Sequence, residues 1–106
     1  MPKFLWKASY SPEGVKGVLN EGGSSRKAVV EQMTSALGGS LEAFYYAFGD
    51  ADVYVIADMP DSASAAAVSM TINAGGAVTL QTVPLLDPAD IDEAAKKSVD
   101  YRPPGG

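Results

Sequence analysis

The chain has 106 residues, 8 of them basic and 13 acidic, for a formal net charge of −5. It has no Cys, no His and one Trp. That length suits one domain with a workable core. The missing residue types remove disulfides, thiolate chemistry, imidazole bases and His-ligated metal or haem. The acidic balance argues against a nucleic-acid surface, and no apolar run reaches the ~20 residues a membrane span needs. A soluble, cytoplasmic protein is the expectation, with no cofactor and no metal site.

Residues 3–10 alternate as a strand, with Phe4, Trp6, Ala8 and Tyr10 on one face. Ser11-Pro12-Glu13 starts a helix as cap, first-turn proline and dipole-favoured acid. Gly14 and Gly17 weaken that helix. Glu21-Gly22-Gly23-Ser24-Ser25 interrupts it, and a second helix is predicted over 26–37 with Val29, Val30, Met33, Ala36 and Leu37 on one side. Gly38-Gly39 stops that helix.

Residues 41–48 form an aromatic strand. Leu41, Ala43, Tyr45 and Ala47 line one face, and Phe44, Tyr46 and Phe48 the other, so both faces read as covered. After the turn Gly49-Asp50-Ala51, residues 52–58 are the hairpin partner. Pro60-Asp61-Ser62 opens a helix whose small-residue stripe is Ala63, Ala66, Ala67 and Met70, ended by Gly75-Gly76. Residues 77–86 read as the fourth strand. Asp87-Pro88 starts a short last helix, and residues 98–106 read as an extended tail. The domain proper is thus 1–97.

The order β-α-β-β-α-β predicts an α+β fold. Its compact solution is a four-stranded antiparallel sheet with both main helices on one face. Covering the other face requires self-association, so the expected partner is a second copy of the chain, as a homodimer or larger homo-oligomer. The tail is expected either to lie across a neighbouring subunit with Tyr101 as anchor or to be a frayed end.

Three stretches carry a resemblance. They are Phe4-Leu5-Trp6-Lys7-Ala8-Ser9-Tyr10-Ser11-Pro12-Glu13-Gly14-Val15, Gly38-Gly39-Ser40-Leu41-Glu42-Ala43-Phe44-Tyr45-Tyr46, and Phe48-Gly49-Asp50-Ala51-Asp52-Val53-Tyr54-Val55-Ile56. The chain resembles the GYD family over about 2–93. The resemblance implies a ferredoxin-like fold of the dimeric α/β-barrel type. The signature tyrosine of that family is replaced here by Ala51, between the fitting Gly49 and Asp52.

Three sets of residues are candidates for chemistry. Gly22-Gly23-Ser24-Ser25 before Arg26-Lys27 can hold an anion at a helix start, or simply kink the helix with Ser24 or Ser25 as cap. Trp6, Tyr10, Tyr45, Tyr46 and Tyr54 can wall a pocket between sheet and helices, or fill a core and an interface. Asp50, Asp52, Asp58 and Asp61 can act as acid/base groups, but turn and cap duties account for them better. Asn73 reads as a buried amide facing the sheet. Arg26, Tyr10, Trp6, Tyr45 and Asn73 are the expected contacts for a small anionic or carbonyl-bearing molecule. No catalytic residue is assigned. The alternative is a non-catalytic interaction or regulatory module.

Overall fold

A computed structural model describes residues 1–106. The elements in chain order are β1 (Lys3–Tyr10), α1 (Pro12–Glu21), α2 (Gly23–Ala36), β2 (Ser40–Tyr46), β3 (Val53–Asp58), α3 (Ser62–Gly75), β4 (Val78–Leu85) and α4 (Pro88–Ala95). The protein is α+β, with an open four-stranded antiparallel sheet ordered β2-β3-β1-β4 and four helices.

β1 pairs with β3 on one side and β4 on the other, so its alternation decides the core. Phe4, Trp6 and Ala8 are buried, as are Val53, Val55 and Ala57 of β3 and Leu80 of β4. Ala65 and Val68 of α3 close over them, with Val30 and Met33 of α2 packed alongside. The face of β1 named from its alternation is therefore the core face.

Helix α1 is capped as its sequence implies: Gly14 N–H donates to Ser11 Oγ at 3.1 Å. The interruption after it is shorter than expected. Only Gly22 breaks the helix, at φ +83°, and α2 already begins at Gly23 with no side-chain cap. Ser24 and Ser25 thus lie within the first turn and neither is the cap. One glycine in the positive-φ region redirects the chain, so no longer loop is required.

Two faces differ from the sequence expectation. In β2 the register with β3 shifts between Leu41 and Ala43, and this bulge puts Leu41 on the same side as Phe44 and Tyr46. One inserted residue inverts the alternation downstream of it. Tyr45, 71 % exposed, then faces away from the helices, so β2 is not covered on both sides within one chain. Phe48 lies beyond the strand with φ +56°, its ring stacked on Tyr46 at 5.8 Å.

The stripe on α3 is also different. Ala65, Val68 and Ile72 face the core, while Met70 is 72 % exposed. In a helix made almost wholly of small residues several stripes look alike. The branched side chains of Val68 and Ile72 fill the space beside the sheet and settle the rotation.

The C-terminal part stands apart. Residues 86–106 are all exposed, and α4 buries no residue although it carries Ile91. The Cα radius of gyration is 16.9 Å, against about 13 Å for a compact chain of this length.

Gly14 and Gly17 both sit in α1, but only one is required to be glycine. A Cβ on Gly14 would run into the Ala77 carbonyl oxygen and press on Tyr10, whereas nothing lies within 4 Å of one on Gly17. Gly17→Ala is expected to stabilise the protein by about 0.5–1 kcal/mol. Gly14→Ala is expected to destabilise it by about 1–3 kcal/mol. Urea unfolding of both variants measures the contrast; equal shifts would contradict the close contact.

Candidate functional site

Between the sheet and its helices lies a cavity of about 50 Å³. Trp6, Ala8 and Tyr10 of β1 form its floor, with Val53, Val78, Leu80 and Phe44 from the other strands. Arg26, Val30 and Met33 of α2 and Ile72 of α3 form its roof. Arg26 is the only ionisable cation in this otherwise apolar lining. The space holds a few water-sized groups.

A second recess of about 180 Å³ adjoins it between α1, α2 and the start of β4. Tyr10, Arg26 and Val78 line both, so they form the threshold between an outer vestibule and the inner cavity. Glu13 and Glu21 flank the vestibule, whereas no carboxylate lines the inner cavity. Arg26 makes no salt bridge; the ion pairs of the protein are those of Lys3 with Glu42 and Asp58.

Local structure fixes both threshold residues. Tyr10 ends β1, and its backbone N–H donates to Asp52 Oδ2 at 2.8 Å. Asp52 N–H in turn donates to Ala8 O at 2.8 Å. The signature aspartate of the hairpin thus pins the end of β1. Arg26 rides on the first turn of α2, which is braced by Tyr46 O–H donating to Gly23 O at 3.1 Å. Burial pushes the Tyr10 phenol up to about 12; the neighbouring Tyr46 phenol adds to this and Arg26 opposes it. Tyr10 is therefore a neutral hydroxyl at neutral pH, able to donate or accept.

Trp6 is 2 % exposed and has an unusual feature: its Nε1–H is buried without a hydrogen-bond partner. Thr82 Oγ1 is buried and unpartnered too, and Thr82 sits directly across from Trp6 in the β1–β4 register. A buried donor left unpaired costs about 1–3 kcal/mol.

Of the five expected contacts, Trp6, Tyr10 and Arg26 converge on the cavity. Tyr45 and Asn73 do not line it. Tyr45 is turned to the other sheet face by the bulge. The Asn73 amide is spent on the backbone of β4: Leu80 N–H donates to Oδ1 at 2.7 Å and Nδ2 donates to Leu80 O at 3.1 Å. Three of the four acids have structural partners as well, Asp52 on Tyr10 N–H among them. Asp61 accepts from Ser64 N–H at 2.7 Å, which holds its carboxyl below the usual range, and Asp58 pairs with Lys3 at 2.9 Å. Phe44, Ile72 and Val78 line the cavity without having been expected there, whereas Asp52, a candidate acid, serves the end of β1. Phe44 was hidden by the bulge, and Asp52 looked like an ordinary turn acid.

A family model describing the GYD domain matches residues 4–95. The chain belongs to the GYD family. No curated protein and no solved structure matches it. The match spans every strand and helix that builds the cavity of this GYD protein, from Phe4 to Ala95. No group of three or more His, Cys, Asp or Glu side chains is placed to hold a metal ion, and no helix is long and apolar enough to cross a membrane.

The raised Tyr10 value fixes a pH dependence. The unfolded chain deprotonates this phenol near its ordinary value of 10.0 and the folded one only near 12. The stability gained is complete below pH 10 and is lost as pH rises towards 12. Thermal melts across that window should fall less steeply for Tyr10→Phe than for wild type; parallel profiles would show Tyr10 ionising as an exposed phenol does.

Proposed function

We propose that this GYD protein is a homo-oligomeric binding domain for a small organic molecule that carries an anionic or carbonyl-bearing end. The observation that carries this reading is the apolar cavity whose threshold is formed by one arginine and one neutral tyrosine. In such a setting a guanidinium offers a planar pair of donors to a carboxylate, and the start of α2 adds a dipole of the same sign. The carboxylates of Glu13 and Glu21 repel anions from the vestibule. A ligand must therefore offset them by burying an apolar part against Trp6, Val30 and Met33. That favours a monoanion with a hydrocarbon portion over inorganic phosphate. The contacts in this reading are Arg26 and Tyr10 for the polar end and Trp6 for the apolar wall.

The strand order β2-β3-β1-β4 supports assigning the fold to the ferredoxin-like, dimeric α/β-barrel type. The sheet face away from α2 and α3 carries Leu5, Tyr54, Ile56, Tyr45 and Val83, all half-exposed or exposed. Pairing of two such faces is our proposal for the oligomer. The C-terminal segment fits the same reading. Helix α4 has eight residues and no buried side chain, and a helix that short is marginal without packing. In a homo-oligomer Ile91, Val99 and Tyr101 would gain a surface to cover. Light scattering at micromolar concentration should give a dimer or larger, and removing residues 98–106 should lower the melting temperature or change the oligomer. A monomer would contradict the sheet pairing.

A second reading, a non-catalytic interaction module, is favoured by the same exposed sheet face. Titration with hexanoate, benzoate and inorganic phosphate separates the two. Wild type should bind the apolar carboxylates better than phosphate. Arg26→Ala should weaken that binding about tenfold or more without changing the oligomer, and Arg26→Lys should recover part of it. Negligible binding to all three proteins would leave the interaction module standing.

A further inference from the structure

We infer that the bound molecule is a zwitterion, a small apolar amino acid whose carboxylate meets Arg26 and whose ammonium group meets Glu21. This rests on the ligand-binding reading above and names the ligand class for the same site.

The inference starts where two helix ends meet. Helix α1 ends at Glu21 and α2 begins at Gly23, with only Gly22 between them. The last carbonyls of a helix carry negative partial charge and the first N–H groups positive partial charge. Glu21 and Arg26, one from each of these ends, both line the vestibule. Each is the reverse of what its own helix prefers, since acids are favoured at helix starts and bases at helix ends. No basic residue in the last turn of α1 and no acid in the first turn of α2 offsets them. Nor do they neutralise each other, because neither makes a salt bridge. The junction therefore presents a negative and a positive group side by side, each reinforced by its helix end and each without a partner.

The wall of the vestibule has a related feature. Gly17 lines it, one turn before Glu21 and one turn after Glu13. This glycine weakens α1, yet a Cβ there would meet nothing within 4 Å, so no packing contact requires it. The missing side chain keeps the vestibule open. Glu13 stands two turns before Glu21, about 12 Å along α1, so Glu21 is the acid at the junction with Arg26.

The ligand class follows from charge. A plain monoanion satisfies Arg26 but is repelled by Glu21, and a plain amine satisfies Glu21 but is repelled by Arg26. A molecule with both charges at one end pairs with each and adds no net charge to the recess. Its hydrocarbon part enters the inner cavity, where no carboxylate lies. An ammonium at the far end of the chain would there be buried without a partner. The larger recess, about 180 Å³, takes the charged head, and the smaller, about 50 Å³, a short hydrocarbon chain.

The probes share one six-carbon chain: hexanoate, both enantiomers of 2-aminohexanoate, and 6-aminohexanoate, titrated by calorimetry at pH 7 and low salt. One enantiomer of 2-aminohexanoate should bind about three- to fivefold tighter than hexanoate, the size of a partly exposed ion pair. The 6-amino isomer should bind about tenfold weaker than hexanoate, or worse. Glu21→Gln decides the assignment, since Glu21 is exposed and makes no salt bridge that the fold needs. It should move the two ligands in opposite directions, hexanoate tighter and 2-aminohexanoate weaker, whereas a structural role would move both alike. The ranking of the three probes on wild type stands as a test independent of the variant. Arg26-dependent hexanoate binding with 2-aminohexanoate no tighter, or with both ligands shifted alike by Glu21→Gln, would overturn this inference and leave the binding reading intact. No binding of any probe to wild type would overturn both.

Discussion

The burial of one indole on the central strand sets the terms for the rest of the molecule. Trp6 sits on β1, which is hydrogen-bonded on both sides; it faces Val55 of β3 and Thr82 of β4 across the sheet, with Phe4 and Ala8 on either side along its own strand. Close packing is kept where α3 meets β4, through Val68 and the Asn73 amide bonded to Leu80. Under α2, Val30 and Met33 meet Trp6 across the cavity.

Polar groups are distributed to match. Acids and amides with structural duties are satisfied locally: Asp52 on the Tyr10 backbone, Asp61 on the start of α3, and Asp58 and Glu42 on Lys3. The Lys3 ammonium is held above its usual range by Glu42 and then by Asp58. Arg26 is different, because it makes no salt bridge and stands at a cavity threshold. The chain thus holds a guanidinium beside apolar surface, with a neutral phenol beside it. These groups suit binding and orientation.

Much of this was legible in the sequence where the pattern was local. The alternation Phe4, Trp6, Ala8, Tyr10 named the core face, Ser11 and Asp61 announced two helix starts, and Arg26 followed directly from its place after the glycine break. Tyr45 was misplaced because a bulge leaves no mark on the residue types around it; Leu41-Glu42-Ala43 is as good a regular strand as a bulged one. The α3 stripe was misread because its alanines offer several equivalent faces, and only contact with the sheet distinguishes them. The unpaired indole was invisible for another reason. Whether a buried donor finds an acceptor depends on strand register and on what lies across the layer, and neither is a property of the sequence near Trp6.

Native mass spectrometry of the protein purified from its own cells tests the central claim most directly, since it reports assembly and retained small molecules in one spectrum. The account predicts a dimer or larger species that carries a small organic molecule, with the added mass absent from Arg26→Ala while the oligomer persists. A monomer free of any added mass, or an adduct that Arg26→Ala keeps undiminished, would contradict it.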